Sequence, residues 1–299
     1  MRKIKILVDS CSDLNKDLLD RYDLDYCKMN TVYHDEETPA SLNWEYYSPE
    51  ELYGIMRKGE RLTTTQVPIC EFETVFKKYL DEEYDIIYIG CSSKQSGSVN
   101  TATLVANNLL EEYPDAKIAC IDSLNASAGE GLVAIYAADC LKNGDDFDTI
   151  VSKANGIRNH VRQYVTVNTL EWLRKAGRVK ATSAFLGDII NVKPILISDY
   201  EGYQVPIKKV RGRKNSLHEL VELMASVIDN PADQTIYIAH ADAEKEELDL
   251  LKDTLQTRLN PKSIEVVYIG PIIGASIGPD AIGIWALGKE ITADTNSEA

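Results

Sequence analysis

The chain has 299 residues, of which 44% are hydrophobic and 26% charged, and its formal charge is -15 at pH 7. That length suits one large domain or two ordinary ones with a sizeable core, and no apolar run approaches the roughly 20 residues of a membrane-spanning helix. The acidic balance repels nucleic acid and anionic lipid surfaces over long range, so neither nucleic-acid binding nor stable membrane insertion is expected.

The amino terminus, "MRKIKILVDSCSD", carries basic residues, but its short apolar run leads straight into acidic ones, unlike a secretory signal. The expected location is therefore cytoplasmic. The six cysteines (Cys11, Cys27, Cys70, Cys91, Cys120 and Cys140) show no CxxC pair and no nearby histidine spacing suited to zinc, so reduced thiols and no metal are expected. Short β-rich runs recur along the chain: "IKILVDS", "DIIYIGCS", "KIACIDS", "YVTVN", "VKPILIS", "TIYIAHA" and "IEVVYIG". Their alternation with amphipathic patterns predicts an α/β fold with largely parallel sheets.

Between these strands the helix signals are chemical. "SPEELYGIM" offers Ser48 as N-cap, Pro49 at the first helical position and Glu51 as capping-box partner. Next comes "LTTTQVP", three threonines before a proline that disfavours helix at Val67; it reads as an edge strand or as a set of neutral donors. "FETVFKKYL" repeats Phe72, Val75, Phe76, Tyr79 and Leu80 at helical spacing, a core face.

"GCSSKQSGSVNTA", residues 90–102, then ends a strand and opens a helix, the place where open α/β sheets put ligands. Unpaired amides at a helix start favour an anion, and Ser92, Ser93, Ser96 and Ser98 add hydroxyls; the plainer reading is a helix cap with spare serines. Cys91 beside them reads as a small buried apolar residue, since no histidine is placed to activate it. "GEGLVA" at Gly129 fits the dinucleotide pattern, yet "SLNASA" separates it from the strand end at Asp122, so no dinucleotide site is expected.

The order of elements changes after residues 144–164, and a boundary near 163 gives domains 1–163 and 164–299. The absence of a Pro-rich or Gly/Ser linker suggests tight apposition. Beyond it, "VKPILISDYEGYQVPIKKV" reads as a hairpin about "DYEG". "KKVRGRK", Lys208 to Lys214, is a basic patch on an acidic body, or only a solvated turn. "LHELVELMASVI" repeats Leu217, Leu220, Leu223 and Met224 on a helical core face. "IAHADAEKEEL" ends a strand with His240 and Asp242, and "YIGPIIGASIGPDAIG" reads as a glycine-rich loop between two strands. The tail "TADTNSEA" reads as frayed. There is no GxSxG, Walker A or HExxH, and the four histidines nominate no triad, so no catalytic residue is assigned.

Nine of these segments, in this order, resemble the DegV family of bacterial fatty-acid-binding proteins: "ILVDSCSDL", "TTQVPICEF", "CSSKQSGSVNTA", "IDSLNASAGEG", "NTLEWLRKAGRV", "NVKPIL", "KKVRGRK", "AHAD" and "GPIIGASIGPDAIG". The resemblance implies two apposed α/β domains with mostly parallel sheets and a long-chain fatty acid such as palmitate or oleate buried between them. It assigns the carboxylate to Thr64, Thr65 and Ser96 with Gly97 and Ser98, and leaves Ser93, His240 and Ser276 as flanking candidates. In relatives that serve as fatty acid kinase subunits, an ATP-binding partner phosphorylates the bound acid to an acyl phosphate; the matching docking positions are Arg174, Arg211 and Arg213. No cofactor other than the lipid is implied. Two departures stand out: Val67 and Pro68 replace the family's usual Pro-Ser, and Ser276 stands where its glycine-rich loop has histidine, which bears on phosphoryl transfer more than on lipid binding. The turn also ends in Asp280 rather than glycine.

The chemistry is coherent. A buried carboxylate is costly unless hydrogen-bonded, and each buried methylene of an acyl tail contributes about 0.8 kcal/mol. Neutral donors leave the carboxylate oxygen nucleophilic. Two other readings remain: a stand-alone α/β enzyme on a small phosphorylated or carboxylated metabolite, with His240 and Asp242 as acid and base, and a regulatory module that senses acyl chains.

Overall fold

The computed structural model describes residues 2–182, 185 and 191–293; most of the tail expected to fray lies outside them. In chain order the elements are β1 (Lys3–Asp9), α1 (Lys16–Arg21), β2 (Leu24–Cys27), β3 (Asn30–Tyr33), β4 (Glu36–Pro39), α2 (Pro49–Arg57) and β5 (Thr63–Thr65). Then come α3 (Ile69–Asp81), β6 (Tyr84–Gly90), α4 (Ser98–Glu112), β7 (Ile118–Asp122), α5 (Ala128–Lys142) and α6 (Phe147–Ile157). The remainder comprises β8 (Val161–Thr166), α7 (Glu171–Ala176), β9 (Val192–Ser198), β10 (Gln204–Arg211), α8 (Arg213–Ala225), β11 (Thr235–His240), α9 (Lys245–Leu259), β12 (Ser263–Tyr268), α10 (Pro271–Ile277) and β13 (Ile282–Leu287). All seven β-rich runs of the sequence form strands. The capping box at α2 is complete, with Ser48 and Glu51 each bonding the other's backbone amide and Pro49 in the first turn.

The chain divides into two compact units. The first comprises Met1–Tyr46, Thr63–Arg158 and Gly270–Ile272; the second comprises Tyr47–Leu62, Asn159–Ile269 and Ile273–Ala299. The expected boundary near 163 falls inside β8, which stays whole with the second unit because its backbone pairs there on both sides. α2 also belongs to that unit although it precedes β5 in sequence.

In the first unit a parallel sheet of order β2-β1-β6-β7 is covered by helices. Phe72 and Phe76 on α3 pack with Tyr88 of β6, with ring centroids 5.4 and 5.1 Å apart along the series. α5 is buried almost throughout, and Gly131 in its first turn leaves room for Leu14, whose side chain would lie 2.7 Å from an added Cβ. Gly131 of "GEGLVA" thus serves helix packing, and both glycines of that stretch lie within α5 and not in a turn at a strand end. The strand order reverses between β1 and β6, which makes the carboxyl ends of these two strands the switch point of the sheet. A small antiparallel sheet, β4-β3-β5, completes the unit.

The second unit departs from the expectation of mostly parallel sheets. Its six strands run in the order β10-β9-β8-β13-β11-β12, and only β11 and β12 are parallel. The cause is local at β9 and β10, where the short "DYEG" turn returns the chain directly, as read from the sequence: Asp199 accepts the amides of Glu201 and Tyr203. One face of the sheet is filled by Leu217, Leu220 and Met224 of α8 with Leu251 and Leu255 of α9. The expected glycine-rich loop is also partly a helix, α10, ended by Gly278 at φ +86°. Gly274 within it is required by packing, because an added Cβ would lie 2.6 Å from the Tyr53 hydroxyl.

Candidate functional site

Two hydroxyl-bearing segments meet in the first unit. β5 carries Thr64 and Thr65, paired with Thr31 and Asn30 of β3, as β-branched residues favour. Pro68 then starts α3 with no amide to lose. The second segment leaves β6 at Gly90 and turns through Ser92, whose carbonyl accepts the amides of Gln95 and Ser96 and whose hydroxyl accepts that of Lys94. It ends at Gly97, the N-cap of the 15-residue α4.

The join between them is direct. Val67 N-H donates to Ser98 Oγ at 3.2 Å, and Gln66 Nε2 donates to Thr101 Oγ1 at 2.7 Å. The approach is close at Gly97, where an added Cβ would stand 2.0 Å from Gln66 Oε1 and the Gln66 side chain would have to move. Ser96 Oγ lies 3.0 Å from Ser98 Oγ and accepts the Ser98 amide at 3.2 Å. The Ser98 hydroxyl and amide, expected to face a ligand, are therefore spent inside the protein, and Ser98 is fully buried. Thr65 differs, since its Oγ1 is buried without a hydrogen-bond partner. α4 has no acidic residue in its first turn, and its N-cap Gly97 has no side chain to offer, so its positive end meets the neutral Ser96 hydroxyl and no carboxylate of its own. Ser93 is exposed on the same turn, its amide bonded to Asp122 Oδ1.

Sequence reasoning missed the carboxylates beneath this turn. Asp9 ends β1 and is fully buried; Oδ1 accepts the Cys11 amide at 2.8 Å, and Oδ2 accepts the Tyr88 hydroxyl at 2.7 Å and the Cys91 amide at 3.2 Å. It pins the carboxyl ends of β1 and β6 together, and burial raises its pKa against the effect of those bonds. Asp13 accepts Ser127 Oγ at 2.5 Å and the Gly270 amide at 2.8 Å, and burial pushes it up to about 7. The available signal was the acidic residue ending the first strand; a second acid from α5, Glu130, lies too far along the chain to be read beside it.

The remaining candidates lie in the second unit. His240 is buried at the end of β11, its Nδ1 accepts the Ala243 amide at 3.3 Å, and its ring lies 4.3 Å from that of Tyr268. Burial pulls its pKa down to about 4. Asp242 is bound by Arg57 at 2.5 Å, so its carboxylate is already ion-paired. Neither residue lines the cavity of about 560 Å³ whose walls include Tyr164, Ile197, Ile207, Leu223 and Lys289. Ser276 is half-buried on α10, a helical position.

Asp280 takes the left-handed conformation, φ +64°, that glycine takes most easily. Its side chain compensates by accepting Arg57 at 2.6 Å and Asn168 at 3.1 Å. Arg174 and Arg211 are exposed. Arg213 differs from them: its side chain is only 16% exposed, forks onto Glu247 at 3.0 and 2.9 Å, and donates to the Asp280 carbonyl.

A parallel sheet whose switch point adjoins a helix amino terminus and a set of neutral hydroxyls defines an α/β protein, and such an edge is where open sheets of this class generally take ligands. The chain belongs to the DegV family: the family model described as "Uncharacterised protein, DegV family" matches residues 3–289. A DegV domain-containing protein of Clostridium perfringens is 32% identical over 292 residues, covering 96% of this chain and 98% of its own. Among solved structures, a fatty-acid-binding DegV family protein from Thermus thermophilus superposes with a TM-score of 0.85 at 26% identity, covering 97% and 100% of the two chains. A DegV lipid-binding protein from Thermotoga maritima gives 0.82 at 27% identity with the same coverage. Among the described residues no helix is long and apolar enough to cross a membrane.

Proposed function

We propose that this chain binds a long-chain fatty acid, holding its carboxylate at the hydroxyls of Thr64, Thr65 and Ser96 and the amino-terminal end of α4, with the acyl tail in an apolar tunnel. The observation that carries the reading is the Thr65 hydroxyl: buried, without a partner, on a strand tied to the serine turn by the Val67 to Ser98 bond. An orphaned buried hydroxyl is costly, and a carboxylate relieves it with a charge-assisted bond. The two DegV relatives described as binding lipid or fatty acid support the ligand class.

The protein then presents the acid to a partner and performs no chemistry on it. An ATP-binding kinase subunit supplies nucleotide and magnesium; the carboxylate oxygen attacks the γ-phosphorus, ADP leaves, and an acyl phosphate forms. Exposed Arg174 and Arg211 are the docking residues in this scheme, without Arg213. The absence of any Walker A motif in the sequence fits the division of labour. Organic extraction of natively purified protein followed by mass spectrometry tests the ligand: a stoichiometric fatty acid in the wild type, depleted in Ser96→Ala and Thr65→Val, is expected. Wild-type protein that neither carries nor takes up fatty acid would end the proposal. Acyl phosphate formed from ATP and palmitate by this chain alone would overturn the division of labour while leaving lipid binding intact.

A further inference from the structure

Beneath the serine turn, three side chains from distant parts of the sequence converge. Cys11 follows β1, Cys91 follows β6, and Glu130 lies in the first turn of α5. They are 2%, 1% and 0% exposed, and one ligand atom from each, two Sγ and a carboxylate oxygen, lie within 4.8 Å of one another. Glu130 Oε1 accepts the Asp9 amide at 3.2 Å, whereas Oε2 is buried with no hydrogen-bond partner. A further sulfur adjoins them, with Met29 Sδ 3.3 Å from Cys11 Sγ.

A carboxyl oxygen in a dry interior needs a donor or a cation, and thiols are weak donors. Asp9 does not compete for a cation, since a hydroxyl and two amides already bind its oxygens. Two thiolates with one carboxylate form a donor set for a thiophilic d¹⁰ ion, with bonds of about 2.3 Å to sulfur and about 2.0–2.2 Å to oxygen. Tetrahedral bonds of these lengths hold ligand atoms about 3.5–3.8 Å apart, so spans that reach the 4.8 Å limit would need to close by about 1 Å around such an ion.

We propose that Cys11, Cys91 and Glu130 form a binding site for a thiophilic divalent cation, of which Zn²⁺ is the type, with the Met29 thioether or a water completing the shell. Binding exchanges two thiol protons and one carboxyl proton for the ion, so three protons are released and the bound site carries a charge of minus one. Affinity consequently rises with pH. The contact with Cys91, with burial, raises the Cys11 thiol; burial raises the Cys91 thiol against its bond with Cys11, and burial raises the Glu130 carboxyl, so loading works against all three shifts. The site is separate from the proposed carboxylate-binding hydroxyls, and its test does not depend on the lipid.

The probe is Cd²⁺, titrated into reduced, chelator-treated full-length protein carrying Cys70→Ser to remove the exposed thiol. Expected is a thiolate-to-cadmium charge-transfer absorption that saturates at one equivalent and is displaced by Zn²⁺. It is lost in Cys11→Ser and Cys91→Ser and shifted at least about tenfold to weaker binding in Glu130→Gln. Should a cysteine variant fail to fold, the cysteine-intact site still answers: Zn²⁺ raises the melting temperature of the Cys70→Ser protein, by an increment that grows with the logarithm of its free concentration once that exceeds Kd. Absence of both the absorption and the thermal shift overturns the proposal. So does an absorption that survives in both folded cysteine variants, or a Cys11–Cys91 disulfide that persists under reductant.

Discussion

Thr65 and Ser98 sit within one bonded cluster and yet should respond oppositely to loss of a hydroxyl. Thr65 Oγ1 has no partner, so Thr65→Val should leave the urea midpoint of the lipid-free protein unchanged or raised, β-branching being retained. The same substitution should weaken fatty-acid binding roughly 10- to 100-fold, the worth of one hydrogen bond to a charged group. Ser98 Oγ accepts the Val67 amide, so Ser98→Ala should cost about 1–3 kcal/mol in denaturant unfolding by orphaning that donor. The sequence marked both residues alike, because residue type and position at a strand end are visible in it, whereas the identity of each hydroxyl's partner is fixed only when β5 and the serine turn meet.

The elements that were legible are those whose signal is contained in their own residues. The capping box of α2, the periodic faces of α3 and α8 and the "DYEG" turn each specify their structure within a few positions. The direction of the second sheet was not legible, since β13 finds its place between β8 and β11 only by long-range pairing. Nor was α10, whose glycines suggested a loop although Gly274 serves close packing. Asp280 shows the same dependence on context. Asp280→Ala should be less stable than Asp280→Gly by about 1 kcal/mol in urea unfolding: both lose the bonds to Arg57 and Asn168, but alanine must also hold a left-handed φ. Equal stabilities would show that backbone conformation is not what this position selects.

Over the whole molecule, acid stability should report on His240. Its pKa lies at about 4 in the folded protein, against about 6.5 unfolded, so the folded state disfavours the proton. The neutral histidine's contribution is therefore fully present above pH 6.5 and is lost as pH falls from 6.5 to about 4; a shift of this size corresponds to roughly 3 kcal/mol. His240→Asn keeps an acceptor for the Ala243 amide and should flatten that part of the stability profile. A profile of unchanged slope in the variant would assign the acid sensitivity elsewhere. The division of the chain into two units was legible only coarsely, because the path that sends Tyr47–Leu62 into the second unit and returns at Thr63 leaves no mark in composition.

The most direct test of the central claim is calorimetric titration of delipidated wild-type and Thr65→Val protein with a long-chain fatty acid, run beside unfolding of the same samples. Saturable one-to-one binding by the wild type, weakened at least about tenfold in a variant of undiminished stability, is the predicted result. Equal affinity in the two proteins, or no binding by either, would contradict the assignment of the carboxylate to the hydroxyls gathered at β5 and α4.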